Sequence, residues 1–193
     1  MRTTIRNKLI AVGAASALVL AAPAASGTAA TLHNGPQSAD AKVERDVQAL
    51  LQLNPGSHRV ASNAVEVTDG VILKLHPSFP WFGCSYRLLC VWSDADQGGY
   101  EKDFYKCQDV NLGNLRMPDG SPWNDQISSI VNHQEGGAVS RFYDYTGSGD
   151  PNDSRNWFYL ASVAAGHRLQ NLSLDTDSNG RSINNRIDIV HVC

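Results

Sequence analysis

The sequence predicts an all-β protein: a sandwich of two similar β-units, preceded by an export signal and a short segment containing one helix and one β-hairpin. From residue 84 onward, short apolar stretches alternate with turns rich in Gly, Asp and Asn, which is typical of sandwiches. Part of this pattern occurs twice. All fifteen aromatic residues lie at or after Phe79 and all four cysteines at or after Cys84, so residues 1–78 differ in character from the rest.

Residues 1–30 have the pattern of a secretory signal peptide. Three basic residues, Arg2, Arg6 and Lys8, precede an apolar run from Leu9 to Leu20, and small residues follow it. The run is shorter than the roughly 20 residues that span a bilayer, which argues against a membrane anchor. We therefore expect export, signal cleavage, an extracellular location and no membrane association afterwards.

Charge argues against a nucleic-acid partner. The whole chain has a formal net charge of −3, and residues 1–30 contain three basic and no acidic residues, so the exported chain would carry −6. An exported acidic protein is not suited to bind a polyanion.

The 42% of apolar residues is enough for a globular core. We expect a monomer.

Residues 31–78 predict a small leader segment. Apolar residues recur at helical spacing: Val43, Val47, Leu50 and Leu51. Pro55-Gly56 ends this helix, and Asp69-Gly70 predicts the turn of a following β-hairpin. So few residues, without an aromatic ring or a disulfide, form a poor independent core. The leader therefore either packs on the main domain or is a propeptide.

Residues 79–193 are expected to form the β-domain, in units of about 84–133 and 138–193. Asn114–Met117 precedes Trp123–Val131, and the similar Asn171–Leu174 precedes Ile183–Val190. The residues that begin the first segments, Asn114 and Asn171, are the first anchors and lie 57 residues apart. Those that begin the second segments, Trp123 and Ile183, lie 60 residues apart, which predicts three extra residues in the second copy. Upstream, Trp92 is matched with Phe142. Two such copies indicate units packed about a pseudo-twofold axis.

Four cysteines allow three disulfide pairings, and export would place them in an oxidising compartment. Cys84 and Cys90 are close enough to clip one hairpin, which would leave Cys107 to pair with Cys193. The alternative joins Cys84 to Cys107 and Cys90 to Cys193. The absence of Cys-x-x-Cys spacing argues against a zinc site.

The repeat resembles two Greek-key motifs of the βγ-crystallin fold. Asn124–Ser129 matches the family signature (Asn/Asp)-(Asn/Asp)-x-x-(Ser/Thr)-Ser fully, and Asn184–Ile189 matches its first half. Within that fold the chain is similar to exported actinobacterial peptidase inhibitors of the metalloproteinase-inhibitor (SMPI) type. The features behind this second similarity are the signal peptide, the Cys84–Cys90 spacing before Val91-Trp92, and Trp123–Asn132 at the end of the first unit.

This resemblance implies a disulfide-stapled protein that inhibits an extracellular protease. Such an inhibitor needs an exposed loop that enters the protease cleft in extended form. One candidate loop lies inside the Cys84–Cys90 clip and includes Arg87 and Leu88. The other is Thr146–Asn156, which includes Gly149 and Asp150. The alternatives are an extracellular calcium-binding module without inhibitory activity and an antimicrobial or toxin-like protein.

The same resemblance implies calcium as a cofactor. The ligands that it carries over in the first unit are the Asp125 side chain, the Gln126 backbone carbonyl and the Ser128 side chain. In the second unit they are the Asn185 side chain, the Arg186 backbone carbonyl and the Asp188 side chain. The alternative is that these side chains only hold a tight turn. Asp175-x-Asp177-x-Asn179-Gly180 also begins like an EF-hand loop, but its twelfth residue is Arg186 rather than Glu, so it predicts a polar turn.

The sequence contains no motif that predicts an enzyme. Gly-x-Ser-x-Gly, His-Glu-x-x-His and a phosphate-binding Gly loop are all absent from it. Its six histidines are dispersed. We therefore expect no catalytic residues.

Overall fold

The computed structural model describes residues 39–75 and 83–193. The predicted signal peptide lies outside these residues, and so do residues 31–38 and 76–78 of the predicted leader segment. No helix within the two described ranges has both the length and the apolarity needed to cross a membrane.

The described residues form one helix and two antiparallel β-sheets. The helix α1 spans Ala39–Leu53. The strands are β1 (His58–Ala61), β2 (Ala64–Thr68), β3 (Val71–Lys74), β4 (Leu89–Asp94), β5 (Gly98–Phe104), β6 (Asp109–Asn111), β7 (Ser129–Asn132), β8 (Val139–Tyr145), β9 (Trp157–Ala164), β10 (Arg168–Leu169) and β11 (Ile189–His191).

The two units exchange one strand each. The first sheet has the order β1-β2-β3-β5-β4-β7-β10, and the second has the order β6-β11-β8-β9. Strand β6 of the first unit pairs with β11 of the second, and β10 of the second unit pairs with β7 of the first. Each unit is thus a Greek key whose third strand lies in the other unit's sheet. The predicted all-β double Greek-key class is confirmed.

Reciprocal backbone hydrogen bonds relate the two units with a constant offset of 60 residues. The first pair runs from Asp125 N–H to the Ile187 carbonyl and from Asn185 N–H to the Ile127 carbonyl, both at 3.1 Å. The second runs from Leu112 N–H to the Asp188 carbonyl at 2.8 Å and from Leu172 N–H to the Ser128 carbonyl at 2.9 Å. These bonds demonstrate the predicted pseudo-twofold arrangement.

The predicted alignment of the first anchor is wrong. Asn111 Oδ1 accepts the N–H of Gly113, and Asn171 Oδ1 accepts the N–H of Ser173, both at 3.0 Å. Asn171 therefore corresponds to Asn111, and the second copy has no extra residues between the two anchors. Asn-Leu occurs twice in residues 111–115, and only the first Asn caps a 3₁₀ turn.

The match between Trp92 and Phe142 is also wrong, by one residue. Ser128 N–H donates to the Trp92 carbonyl and Asp188 N–H donates to the Tyr143 carbonyl, both at 2.9 Å. Tyr143 is therefore the counterpart of Trp92. Phe142 points into the core and is fully buried. Because successive side chains of a strand point to opposite faces, a shift of one residue exchanges a core position for a surface one.

The helix and the hairpin of the leader pack on the β-domain. Strand β3 pairs with β5 from Val71 opposite Phe104 to Lys74 opposite Glu101. Their buried side chains join the main core, including Val47, Leu50, Val65 and Leu73. Asn54 at the end of α1 exchanges hydrogen bonds with the Arg116 backbone, at 2.8 Å and 3.3 Å. Part of the apolar core thus comes from residues 39–75.

A buried ion cluster also fastens β3 to β5. Lys74 Nζ lies 3.1 Å from Glu101 Oε1 and 2.5 Å from Asp103 Oδ2, and both carboxylates are at most 1% exposed. Burial and then the neighbouring Glu101 raise the pKa of Asp103 to about 7, against the opposing effect of Lys74. Removing one partner of such a cluster leaves uncompensated buried charge.

Two disulfides close the β-domain. Cys84 is bonded to Cys90, and Cys107 is bonded to Cys193, which is the first of the two pairings considered above. The longer bridge spans 86 residues and joins the segment before β6 to the residue that ends the sequence after β11.

We expect Asp103→Asn to become more stable relative to wild type as pH rises from about 4 to about 8. The folded state holds the Asp103 proton to about pH 7, whereas the unfolded chain releases it near its usual pKa of 3.8, so wild type loses stability across this window. The expected relative gain is about 1–3 kcal/mol, measured by chemical denaturation.

Lys74→Met is the matched variant, and it should lose about 3–5 kcal/mol at neutral pH because two carboxylates lose their countercharge. A parallel pH dependence in wild type and Asp103→Asn would contradict the raised pKa.

Candidate functional site

The two signature loops lie side by side across the pseudo-twofold axis. Asp125 and Asn185 occupy equivalent positions in the left-handed region, at φ 60° and 53°. Asn and Asp tolerate this conformation better than other side chains that carry a Cβ. The backbone hydrogen bonds between the loops therefore bring ligand candidates of one unit beside those of the other.

On one side of the axis, Ser128 meets Asn185. Ser128 Oγ donates to Asn185 Oδ1 at 3.1 Å, and Ser128 is buried. A hydroxyl and an amide satisfy each other here without formal charge. Gln126 is half-buried between the exposed Asp125 and the core residue Ile127.

On the other side, a carboxylate takes the place of the hydroxyl. Asp188 is the counterpart of Ser128 and is 9% exposed. Its Oδ2 accepts the N–H of Tyr145 at 2.8 Å. Its Oδ1 is buried and has no hydrogen-bond partner within the described residues. Burial of an unpaired carboxylate oxygen is costly, so this atom is the main unsatisfied group of the site.

Electrostatics make Asp188 hard to ionise in the folded protein. Burial is the largest cause, and the negative charges of Asp125 and Asp144 add to it, against the hydrogen bond from the Tyr145 N–H and the favourable influence of the nearby Asn124 amide. The pKa of Asp188 is thereby raised to about 6. Burial and then Asp144 also raise the pKa of Asp125. A bound cation would relieve both carboxylates.

Asp188 lines a cleft together with three asparagines. The residues around it are Asn111, Gly113, Asn114, Asn124, Tyr145, Pro151, Asp188 and Ile189. A Cβ placed on Gly113 would lie 3.2 Å from Asn111 Oδ1 and 3.8 Å from Asn124 Oδ1. The bare backbone at Gly113 thus leaves room beside two amide oxygens. Carboxylate and amide oxygens are the donors that hard cations such as calcium prefer.

Arg186 lies at the rim of the carboxylate group. Its Nη2 is 3.0 Å from Asp144 Oδ2 and its Nη1 is 2.9 Å from Asp177 Oδ2. Asp177 Oδ1 also accepts the N–H groups of Asn179 at 2.8 Å and Arg181 at 3.0 Å. Asp177 is thus fully engaged in a polar turn, and Arg186 neutralises Asp144 rather than Asp188.

The loop inside the Cys84–Cys90 clip is a turn. Arg87 has φ 74°, and its side chain is 69% exposed, with Nε 3.0 Å from Glu135 Oε1. Tyr86 Oη donates to Glu135 Oε2 at 2.7 Å. Leu88 is half-buried and packs against the disulfide cluster. The left-handed Arg87 backbone is incompatible with the extended presentation expected of an inhibitory loop.

The loop Thr146–Asn156 is exposed but folded on itself. Gly149 has φ 82°, and its carbonyl accepts Tyr145 Oη at 2.5 Å. Asp150 Oδ1 accepts the N–H of Asn152 at 2.9 Å, and Trp157 Nε1 donates to the Pro151 carbonyl at 2.8 Å. This loop also lacks the expected extended backbone, and Pro151 brings it to the cleft of Asp188.

Asn111, Asn124 and Asp144 surround Asp188 or influence it, but the sequence did not predict them as site residues. Asn111 reaches the cleft through β6, the exchanged strand, and Asp144 lies on β8, where its charge helps to raise the pKa of Asp188. One signal was present for Asn111, because an Asn followed by Leu-Gly is typical of a capped turn. Nothing local in the sequence points to Asp144.

Neither a protein-family model nor a curated protein matches the chain. Two solved structures are similar in fold. The one described as "Evolution of the eye lens beta-gamma-crystallin domain fold" has a TM-score of 0.40 and 14% identity, covering 64% of this chain and 96% of its own. The N-terminal domain of protein S has a TM-score of 0.34 and 17% identity, covering 55% of this chain and 94% of its own. These likenesses concern the fold alone.

Without added cation, Asp188→Asn should gain stability relative to wild type as pH rises from about 4 to about 7. The folded wild type keeps the Asp188 proton to about pH 6, whereas the unfolded chain loses it earlier, so wild type is destabilised in between. The expected gain is about 1–2 kcal/mol, measured by denaturation in chelator.

The control is Asp119→Asn. Hydrogen bonds from the Ser121 side chain and backbone lower the pKa of Asp119, so that variant should show no such gain with rising pH. An identical pH dependence in Asp188→Asn and wild type would contradict the assignment.

Proposed function

We propose that this chain is an exported calcium-binding module on a βγ-crystallin-like scaffold, with its cation site at Asp188. One observation carries the proposal: Asp188 Oδ1 is buried and lacks a hydrogen-bond partner among the described residues. An atom of this kind is stable when it neutralises a cation.

The residues around Asp188 fit a hard cation. Asp188 supplies a carboxylate to the cleft, which Asn111 and Asn124 also line, and the charge of the Asp125 carboxylate helps to raise the pKa of Asp188. Zinc prefers nitrogen and sulfur donors, and neither histidine nor cysteine lines this cleft. Bound calcium would neutralise the carboxylates and link Asp125 of the first unit to Asp188 of the second.

The charge balance supports one weak site rather than two. The equivalent position across the axis holds the neutral Ser128–Asn185 pair, which offers no carboxylate. Arg186 offsets part of the negative charge through Asp144. The carboxylates of Asp125 and Asp188 remain to bind the ion. We therefore expect a calcium dissociation constant of about 10⁻⁴ to 10⁻³ M, typical of extracellular modules.

Calcium at about 10 mM should stabilise wild type by about 1.5–3 kcal/mol and raise its melting temperature by about 3–10 °C. Asp188→Asn should abolish the rise and Asp125→Ala should reduce it, because both remove ligands. Ser128→Ala, the equivalent position across the axis, should keep it. Calorimetric titration and thermal scans measure these effects. A full calcium response in Asp188→Asn would exclude the site.

A second candidate function, inhibition of an extracellular peptidase, is favoured by the rigid display of Tyr86 and Arg87. These side chains are 61% and 69% exposed on a loop closed by a disulfide and fixed by the hydrogen bond from Arg87 N–H to the His133 carbonyl at 2.9 Å. Tyr and Arg often dominate protein interfaces, and a preorganised loop loses little entropy on binding. The turn geometry of the Tyr86–Arg87 loop favours blocking the rim of the protease's active-site cleft over entering that cleft in the extended conformation of a substrate.

Oxidised protein should inhibit a thermolysin-like or a subtilisin-like protease stoichiometrically if this second function holds. Arg87→Ala should then weaken inhibition at least about tenfold, which is about 1.4 kcal/mol, whereas Arg155→Ala on the other exposed loop should not. Activity titrations measure both. No inhibition of either protease by folded protein would discard this candidate and leave the calcium proposal untouched.

A further inference from the structure

The two sheets have four edges, and three of them carry features that discourage further strand pairing. Strand β1 is four residues long, fully exposed and irregular in register, and it contains Arg59. Strand β10 has two residues, one of them Arg168. Strand β6 has three residues and begins with Asp109. Short, charged and irregular edges are the usual protection against unwanted pairing.

The fourth edge, β9, is long and uncharged. It has eight residues, Trp-Phe-Tyr-Leu-Ala-Ser-Val-Ala, with neither a charge nor Pro nor Gly. Within the described part of the chain it pairs with β8 alone. Its one irregularity is a shift in register between Tyr159 and Ala161. Alternate N–H and C=O groups of such an edge point away from the sheet and are available to another strand.

The pseudo-twofold axis shows what covers the equivalent edge in the first unit. The counterpart of β9 is β5, and β3 pairs along its outer side over four residues. Trp92 is 1% exposed in a cluster with Cys84 and Cys90. Its counterpart Tyr143 is half-exposed and packs against Trp157 and Tyr159, with ring centroids 5.4 Å and 6.0 Å apart. Tyr159 is 48% exposed.

The charges on the two edges indicate the occupant. Glu101 pairs with Trp92 on β4, and Asp103 pairs with Cys90. Both of these carboxylates bind Lys74 of the docked strand. The equivalent residues on β9 are the uncharged Tyr159 and Ser162, which pair with Tyr143 and Arg141. A strand docking on β9 therefore needs no basic residue, and an uncharged strand suits it best.

We propose that β9 binds β9 of a second copy of this chain in antiparallel orientation. The strand is uncharged and brings no like charges together when it pairs with itself. A twofold axis across the pair makes the contact self-complementary and closes it at two copies. The two four-stranded sheets become one eight-stranded sheet. Trp157 and Tyr159 of each copy add aromatic surface beside the new ladder.

The first part of β9 carries this contact. Near the end of the strand, the Val163 carbonyl already accepts Asn132 Nδ2 at 2.8 Å. The new ladder therefore runs over Trp157–Ser162. This proposal replaces the expectation of a monomer from the sequence, and it is independent of calcium binding.

Sedimentation velocity of the oxidised full chain over about 1 μM to 500 μM should show a monomer–dimer equilibrium within the micromolar range of modest interfaces. Tyr159→Lys and Ser162→Lys should each raise the dimer dissociation constant about tenfold or more, because each substitution adds a charge on both sides of the axis. Leu174→Lys changes a residue that is 81% exposed and lies outside β9, in the 3₁₀ turn Leu172–Leu174, and should leave the dissociation constant unchanged.

Hydrogen exchange identifies the surface used. Amides of Trp157–Ser162 should become protected as protein concentration rises, and this protection should be lost in Tyr159→Lys. A monomer throughout the concentration range overturns the proposal. So does a dimer that keeps its affinity in both β9 variants. Protection of β9 by an added peptide with the sequence of residues 69–75, in a chain that stays monomeric, would show that the edge takes a foreign strand instead.

Discussion

The exchange of strands β6 and β10 between the two sheets is the constraint on which the rest of the structure depends. Because each unit completes the other's sheet, the core forms only when both units are in place. The reciprocal hydrogen bonds of Asp125 and Asn185 are a consequence of this interlock. It also places residues far apart in sequence, such as Asn111 and Asp188, around one cleft.

The pseudo-symmetry of the backbone is not matched by the side chains, and the differences carry the candidate functions. At one signature position the first unit has Ser128 and the second has Asp188, so a neutral hydrogen bond becomes a buried carboxylate. Strand β5 of the first unit carries Glu101 and Asp103 under a docked hairpin, whereas its counterpart β9 in the second unit is uncharged. One backbone plan thus gives two surfaces with different chemistry.

Local patterns predicted the elements better than they predicted their alignment. The apolar spacing of α1 and the Asp69-Gly70 turn are visible in the sequence because each depends on neighbouring residues. The repeat was found but aligned wrongly at Asn114, since Asn-Leu occurs twice and only capping distinguishes the copies. The site needed more than the signature, because Asp144 joins it through strand pairing, which depends on contacts distant in sequence.

The bridge between Cys107 and Cys193 gives the fold an uneven response to mechanical tension. A pull applied between α1 and Cys193 is carried past residues 108–192 by the covalent bond, since Cys107 and Cys193 are 86 residues apart in sequence. At about 3.3–3.6 Å per extended residue, the loop has a contour length of roughly 300 Å that the pull cannot extend. Of the described helix and strands, only α1 and strands β1–β5 can unravel under load, while every residue that lines the cleft of Asp188 lies inside the shielded loop.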